Sequence, residues 1–354
     1  MNNPPAAPDL SAIAGFFFRH TRWLGASPLG DGHINDTYRI DFEENGSAHT
    51  FVLQRINTQV FRQPEQVMHN LCAIADHLAT QPDYPLAVLS PVATLSHAPW
   101  LRLESGDCWR VFPYLADTYA PKTIDTPRQA RLAASAYGAF ARAMRHFPAQ
   151  QLAETIPGFH DTDQRWAAFE KVLHKNPAAR AAAARTEIAA LQAAKPIFDR
   201  ISQLKRGGDL PVRVTHNDTK AGNILLDSST HEAVAVIDLD TVMPGTLLSD
   251  FGDMVRTFVP DRYEDDPQVD ALCLRDDVLK ALTEGFLSQT ADFLTAAERE
   301  HLMLGARWIV GEQALRFLTD YLAGDVYYKI SHPQHNLLRA RNQLKVLEQL
   351  MAHA

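Results

Sequence analysis

Residues 213–256, RVTHNDTKAGNILLDSSTHEAVAVIDLDTVMPGTLLSDFGDMVR, constrain this chain more than any other stretch. Residues 212–215 read as a short strand running into His216-Asn217-Asp218, with Asn223 five residues after Asp218. Two apolar runs, Ile224-Leu225-Leu226 and 233–237, flank the polar cluster 227–232 and predict a hairpin. A turn centred between Thr230 and His231 sets Asn223 opposite Asp238, about 4.5–5.5 Å apart between Cα atoms in an antiparallel pair. The hairpin then brings an amide and a carboxylate to one open end, beside the loop that holds Asp218.

Phosphoryl transfer needs this set of groups. Charge spreads over the moving phosphoryl oxygens, so a protein must supply metal ligands and a carboxylate that takes the nucleophile's proton. Magnesium favours hard oxygens, commonly one or two carboxylates plus phosphates and water. Asn223 and Asp238 fit as its ligands and Asp218 as the base. Asp240 is a second metal ligand, an outer support or a loop carboxylate. The pattern H-N-D-x-x-x-x-N resembles the H-R-D-x-x-x-x-N loop of the eukaryotic-like kinases, in the variant used by aminoglycoside phosphotransferases and choline kinases. The longer string THNDTK…N…VIDLDTVMPG…DFGD resembles the N-acetylhexosamine 1-kinase branch of that superfamily. Asp250-Phe251-Gly252 spells the protein-kinase metal motif but lies beyond the hairpin, just before the helical pattern Met254, Val255, Phe258. Asp250 therefore reads as a helix N-cap that braces the catalytic loop.

The chain has 354 residues, 46% of them hydrophobic, enough for two lobes with their own cores. A formal net charge of −8 argues against a nucleic-acid partner. Cys72, Cys108 and Cys273 are too few and scattered for a disulfide framework or zinc site, and read as small buried apolar residues. The early apolar run 12–18 is broken by Gly15 and has no basic flank before it, so no signal peptide is expected. No run approaches the ~20 apolar residues that span a bilayer. The expected setting is cytoplasmic, with no membrane partner.

Residues 10–24 read as a short amphipathic helix ended near Gly25. A turn containing Gly30 and Gly32 leads through Asn35 into an alternating strand, and residues 50–55 return. Paired glycines let backbone amides approach nucleotide phosphates, so Gly30, Gly32 and Asn35 are expected on the nucleotide. The resemblance asks for a lysine on the returning strand, which instead reads Phe51-Val52-Leu53-Gln54-Arg55. Alternation lets one of Gln54 and Arg55 enter the pocket. Small Val52 shares the face of Gln54, which puts Gln54 on the phosphates and Arg55 outward. The acidic partner on the next helix (64–78) is left open between Glu65 and a site occupied by His69. Residues 86–95 and 100–103 read as strands, and 108–115 as a fifth strand and hinge where Phe112, Tyr114 and Leu115 line an adenine ring. A long helix follows at 127–146, no strand is expected from 117 to 212, and alanine-rich 177–205 reads as an extended helical arm.

The resemblance also implies substrate contact for His160, in the loop 156–162. Residues 298–322 read as one helix on which Glu312, Arg316 and Asp320 share a face at four-residue spacing. Sugar hydroxyls are held by carboxylate and guanidinium forks against an aromatic ring. Phe317, Tyr321, Tyr327 and Tyr328 lie nearby in sequence, so these three charged residues are substrate candidates. Residues 337–352 form a closing amphipathic helix.

The expected fold is α+β, two-lobed and protein-kinase-like. A small antiparallel-sheet nucleotide lobe spans 1–115, and a mainly helical catalytic and substrate lobe spans 116–354. The expected activity is Mg2+- and ATP-dependent phosphorylation of a sugar hydroxyl. The resemblance implies the anomeric hydroxyl of an N-acetylhexosamine as acceptor. Two other readings stand beside it: an aminoglycoside or choline-type kinase, and a nucleotide-binding pseudokinase scaffold suited to the missing strand lysine.

Overall fold

A computed structural model describes residues 8–19, 21–30 and 34–353. Gly32, expected in the nucleotide hairpin, lies outside the described residues. After helix α1 (Leu10–Ala14), the first lobe holds strands β1 (Arg22–Pro28), β2 (Asp36–Glu44) and β3 (Ser47–Ile56), then helix α2 (Pro64–Ala79), β4 (Leu101–Arg102) and β5 (Cys108–Pro113). The strands form one antiparallel sheet in the order β1-β2-β3-β5-β4. Asn45 and Gly46, with φ of 51° and 81°, make the tight β2–β3 turn whose twist matches the strands. On one sheet face Ile40, Leu53, Trp109 and Val111 pack with Ile13 and Phe17. On the other, Ile56 and Cys108 join Val67, Met68 and Leu71 of α2 in the main core.

Beyond the sheet come β6 (Thr118–Tyr119), α3 (Pro127–Ala143), α4 (Thr162–Lys175), α5 (Arg185–Ala193) and α6 (Lys195–Gly207). Then follow β7 (Arg213–Thr215), β8 (Ile224–Asp227), β9 (Ala233–Val236), β10 (Met243–Gly245), α7 (Leu247–Phe258), α8 (Asp276–Thr290), α9 (Ala296–Glu300), α10 (Leu302–Ala323) and α11 (His335–Ala352). Strand β7 pairs with β10, while β8 lies between β6 and β9. Helix α10 is the hub of this lobe, packing on α4, α6, α7 and α11. The α+β, two-lobed expectation holds.

Several local expectations fail. Residues 22–28 are a strand, because Gly25 and Pro28 weaken a helix and β2 supplies backbone partners, with a bulge between Trp23 and Gly25. Residues 86–95 form no strand. Pro91 interrupts the segment, which reaches its neighbours by separate bonds such as Val92 N to Val111 O at 2.8 Å. The two-residue β6 was too short to show a pattern. The alanine-rich region is no extended arm: α5 and α6 pack on α10, and Glu187 pairs with Arg341 of α11 at 2.6 Å. The helix expected over 298–322 is two, because the Thr295/Glu298 capping box starts α9 and the chain breaks at His301. Cys273 is exposed rather than buried.

Helices α7 and α10 approach closely at two glycines, which fixes the base of the catalytic loop. A Cβ at Gly252 would lie 2.5 Å from Gly305 O and 2.8 Å from Ile309 Cγ1. Gly252→Ala should therefore destabilise the protein by about 1–3 kcal/mol, the usual effect of overpacking. Denaturant unfolding measures this, and an unchanged midpoint would mean that the helices separate without cost.

Candidate active site

The catalytic loop lies between β7 and β8, and its shape is imposed by α7. Asn217 has φ of 63°, a left-handed conformation rare outside glycine and often found at functional sites. It is held there by Asp250, whose two carboxylate oxygens accept the backbone N–H groups of His216 (2.9 Å) and Asn217 (2.8 Å). The Asn217 amide donates to Thr215 O and Thr241 O, and Thr219 Oγ1 donates to Asp250 O. Asp250 thus braces the loop as expected, but it is not the N-cap. Thr246 caps α7, and Asp250 sits inside the first turn. His216 is buried, which keeps its imidazole neutral. Its Nδ1 accepts from Asp218 N at 3.3 Å, so Nε2 carries the proton and donates to Ile237 O at 3.1 Å.

Asp218 emerges from this frame with one oxygen doubly engaged. Its Oδ2 accepts Lys220 Nζ at 2.7 Å and Asn223 Nδ2 at 2.8 Å. Burial alone would raise this carboxyl, but the Lys220 ammonium and the Asn223 amide outweigh it and hold the pKa below the ordinary aspartate value. Asp218 is therefore a carboxylate at neutral pH.

Asp238 is the opposite case. The hairpin register differs by one residue from the expected one, with Ile224 facing Val236, Leu225 facing Ala235 and a bulge before Leu226–Ala233. Asn223 consequently faces Ile237, whose N–H it accepts at 2.9 Å, and Asp238 lies one step beyond, turned by a φ of 59°. The cause is the tighter turn: Asp227 accepts the N–H groups of Ser229 and Thr230, which shifts its centre towards Asp227. Asp238 is exposed at the open cleft, and the desolvating protein around it, then the charge of Asp240, lifts its carboxyl to about 7. Both hydrogen bonds made by the Asn223 side chain come from Nδ2, so Oδ1 remains as an acceptor. An amide oxygen and a carboxylate with two acidic neighbours are a fitting donor pair for a hard cation whose other ligands are phosphate oxygens and water. Among the described residues, no three acidic, His or Cys side chains converge to form an all-protein metal cage.

Asp240 is held mainly through one oxygen. Its Oδ2 accepts Arg110 Nη2 and Asn35 Nδ2, both at 2.8 Å, while Oδ1 lies 2.7 Å from Arg110 Nη1 in a buried ion pair without a hydrogen bond of its own. These contacts fit the outer-support reading of Asp240. The same contacts occupy two residues expected on the nucleotide. Asn35 bridges Asp240 and the N–H of Asn57, while Gln54 Oε1 accepts Arg110 Nε and Nη2 and its Nε2 donates to Thr37. Arg55 points away, paired with Asp36 at 2.5 Å. Glu65 faces Arg102 at 3.8 Å, and His69 is exposed. Gly30 keeps its turn conformation at φ of 74°. Phe112 continues β5 against Val52, Leu115 O accepts Thr118 Oγ1, and Tyr114 lies under Arg39.

In the helical lobe the structure brings together three of the four substrate candidates. His160 Nδ1 meets Glu312 Oε1 at 2.7 Å, while Thr162 and Trp308 donate to Glu312 Oε2. Arg316 lies over Phe159 and Tyr328, with ring centroids at 5.1 and 5.8 Å. Asp320 is elsewhere in function. It accepts the backbone N–H groups of Val326, Tyr327 and Tyr328 and the Asn336 amide, so it shapes the tyrosine loop instead of offering an oxygen to a substrate.

Sequence reasoning missed Lys220, Arg110 and Arg165. Lys220 carried a signal, two residues after Asp218. Arg110 was legible only as an inward position on a strand, between Cys108 and Phe112. Arg165 donates to Phe159 O and is flanked by Arg316, whose charge adds to burial in lowering its pKa.

Residues 25–282 match the phosphotransferase enzyme family. The chain belongs to that family. Its activity class is phosphoryl transfer to a small molecule. Solved structures of like fold include an aminoglycoside phosphotransferase from Alicyclobacillus acidocaldarius, 15% identical with a TM-score of 0.63, covering 99% of this chain and 97% of that one. A microcompartment-associated aminopropanol kinase is 18% identical with a TM-score of 0.65, covering 97% of both chains. A spectinomycin phosphotransferase in complex with ADP and spectinomycin is 13% identical with a TM-score of 0.55, covering 94% of this chain and 93% of that one. Among the described residues, no helix is long and apolar enough to cross a membrane.

Asp250 offers a test of the loop's frame. Burial lifts its carboxyl to about 7 against the pull of the two N–H groups it accepts, well above the ~3.9 of a free aspartate. The native state therefore holds a proton that the unfolded chain releases. The group's stabilising contribution falls as pH rises from about 4 to about 7. Asp250→Asn removes that titration and leaves one of the two N–H groups without its acceptor, costing about 1–3 kcal/mol. Thermal unfolding between pH 5 and 8 should show a shallower decline in Tm for the variant than for the wild type. Parallel declines would place the titration elsewhere.

Proposed function

We propose that this phosphotransferase moves the γ-phosphoryl group of ATP, with magnesium, onto a sugar hydroxyl. The observation that carries the reading is the geometry of two carboxylates. Asp218 Oδ2 accepts Lys220 Nζ and Asn223 Nδ2, while Asp238, one step past the Asn223–Ile237 pair, makes no hydrogen bond or ion pair among the described residues. Asn223 Oδ1 and Asp238 would hold the magnesium, which supplies charge neutralisation on the phosphate oxygens. Asp218 Oδ2 is engaged by Lys220 and Asn223, so Oδ1 is the oxygen that takes the proton of the attacking hydroxyl. A scaffold without catalysis has no need of this arrangement. Gly30 and the segment of Phe112, Tyr114 and Leu115 border the nucleotide side of the cleft, with Gln54 and Asn35 supporting it from behind.

The acceptor side favours a neutral polyhydroxy ring over a cationic amine. An amine-bearing acceptor needs a carboxylate free to face it. Glu312 is closed off by His160, Thr162 and Trp308, and Asp320 by four donors. Among the described residues, neither Arg316 nor Arg165 has a carboxylate ion-pair partner, and the rings of Phe159 and Tyr328 lie under Arg316. Guanidinium donors beside aromatic faces suit hydroxyl and carbonyl oxygens on a sugar. The sequence resemblance narrows this to the anomeric hydroxyl of an N-acetylhexosamine. Purified protein with Mg-ATP, offered sugars, aminoglycosides and choline and followed by phosphorus NMR, tests the choice. Exclusive turnover of the amines would overturn it.

Two variants separate the roles. Asp218→Asn should lower kcat by about 10²–10⁴-fold, the usual general-base contribution, while Mg-ATP binding stays nearly intact. Retention of more than a tenth of wild-type turnover removes Asp218 from the mechanism. Asp238→Ala should instead abolish the magnesium-dependent part of ATP affinity in calorimetry. Equal affinities with and without magnesium in the wild type would refute the metal assignment.

A further inference from the structure

Arg110 is an almost fully buried cation on β5, at the cross-strand position opposite Gln54 of β3. Nη2 donates to Asp240 Oδ2 at 2.8 Å and Nη1 lies 2.7 Å from Oδ1 in an ion pair, while Nε and Nη2 donate to Gln54 Oε1 at 2.9 and 2.6 Å and Nη1 to Met68 Sδ of α2 at 3.7 Å. The side chains of the pair are 2% and 1% exposed. Asp240 lies in the helical turn that follows Asp238, and its backbone carbonyl accepts Thr155 Oγ1 at 2.6 Å. Its Oδ2 also holds Asn35, just after the glycine turn, and Asn35 in turn accepts the N–H of Asn57. One buried carboxylate in the second lobe is therefore joined to Asn35 at the head of β2, to β5 and, through Arg110, to β3 and α2.

We propose that the Arg110–Asp240 pair is the tie that positions the nucleotide lobe on the catalytic lobe. It sets both Asn35, at the head of β2, and the left-handed turn of Asp238 for the nucleotide. A buried ion pair is a poor source of stability, because desolvating two charges offsets most of their attraction. The hydrogen bonds from one guanidinium to both Asp240 and Gln54 supply orientation instead. The cations and acids that a β3 lysine and an α2 carboxylate would bring are directed outward here, with Arg55 on Asp36 and Glu65 towards Arg102. The inner face is served from the neighbouring strand. Arg110, almost fully buried, touches no substrate in this scheme and acts as a positioning residue.

The test rests on the reading that a nucleotide binds in this cleft, so Mg-ATP affinity of the wild type is measured first by calorimetry. No binding there would overturn both ideas together. With binding established, the variant Arg110→Met/Asp240→Asn removes both charges and leaves neither buried alone. It should unfold cooperatively yet bind Mg-ATP roughly 10- to 100-fold more weakly, as small displacements of a preorganised site do. Its KM for the acceptor should be unchanged. A purely structural pair would lower Tm and leave nucleotide affinity at the wild-type value, and that result would overturn the tie while leaving the function standing. Arg110→Lys keeps the charge but loses the planar set of donors that joins Asp240 to Gln54. It should weaken Mg-ATP binding with little change in Tm, and wild-type affinity in it would overturn the proposal even if the double variant failed to fold.

Discussion

The site depends on one carboxylate that touches no reacting atom. Asp250 accepts two successive backbone N–H groups, those of His216 and Asn217, on separate oxygens. That double acceptance holds Asn217 left-handed and turns the chain so that Asp218 points into the cleft. Asp250 can do this because α7 is fixed in turn by the Gly252–Gly305 approach to α10. Helix packing, backbone strain and the placement of the candidate base are thus one continuous constraint. The cost of burying Asp250 appears as its raised pKa, and the loop geometry is what that cost maintains.

The centre of this chain was legible because its chemistry is local. Asp218, the five-residue step to Asn223 and two apolar runs around a turn are short-range facts, and a loop followed by a hairpin follows from them. Details that depend on single residues were not legible. The register slipped by one because Asp227 caps its own turn and a bulge follows Leu225, so Asp238 reaches the cleft through a positive φ rather than by facing Asn223. Strand β1 gave no strand signal, since its sequence RWLGASP alternates weakly and its pairing is tertiary.

Side chains whose partners are far away in sequence were read least well. Asn35 and Gln54 were assigned to the nucleotide from their polarity and position, and Asp240 was left open between a metal ligand, an outer support and a loop carboxylate. Each is in fact joined to Arg110 directly or through Asp240, across separations of dozens of residues that no spacing rule displays. Asp320 shows the same limit on a helix. Four-residue spacing placed it on a face with Glu312 and Arg316, but the loop folding back at 326–328 takes all of its oxygens. A polar residue's type predicts that it will be satisfied; only the fold says by what.

The acidic residues around the cleft fall into an order when matched with their cations. Asp218 has Lys220, Asp240 has Arg110, and Asp253 has Arg256 at 2.8 Å. Asp250 has no cation, but it has two backbone dipoles aimed at it. Among the described residues, Asp238 has neither a hydrogen bond nor an ion pair of its own, and its nearest strong influences are the like charges of Asp240 and Asp218, only partly offset by Lys220 and Arg110. Three of these acids are matched by cations of the protein itself, and Asp238 is the one whose oxygens are left for the cation we propose.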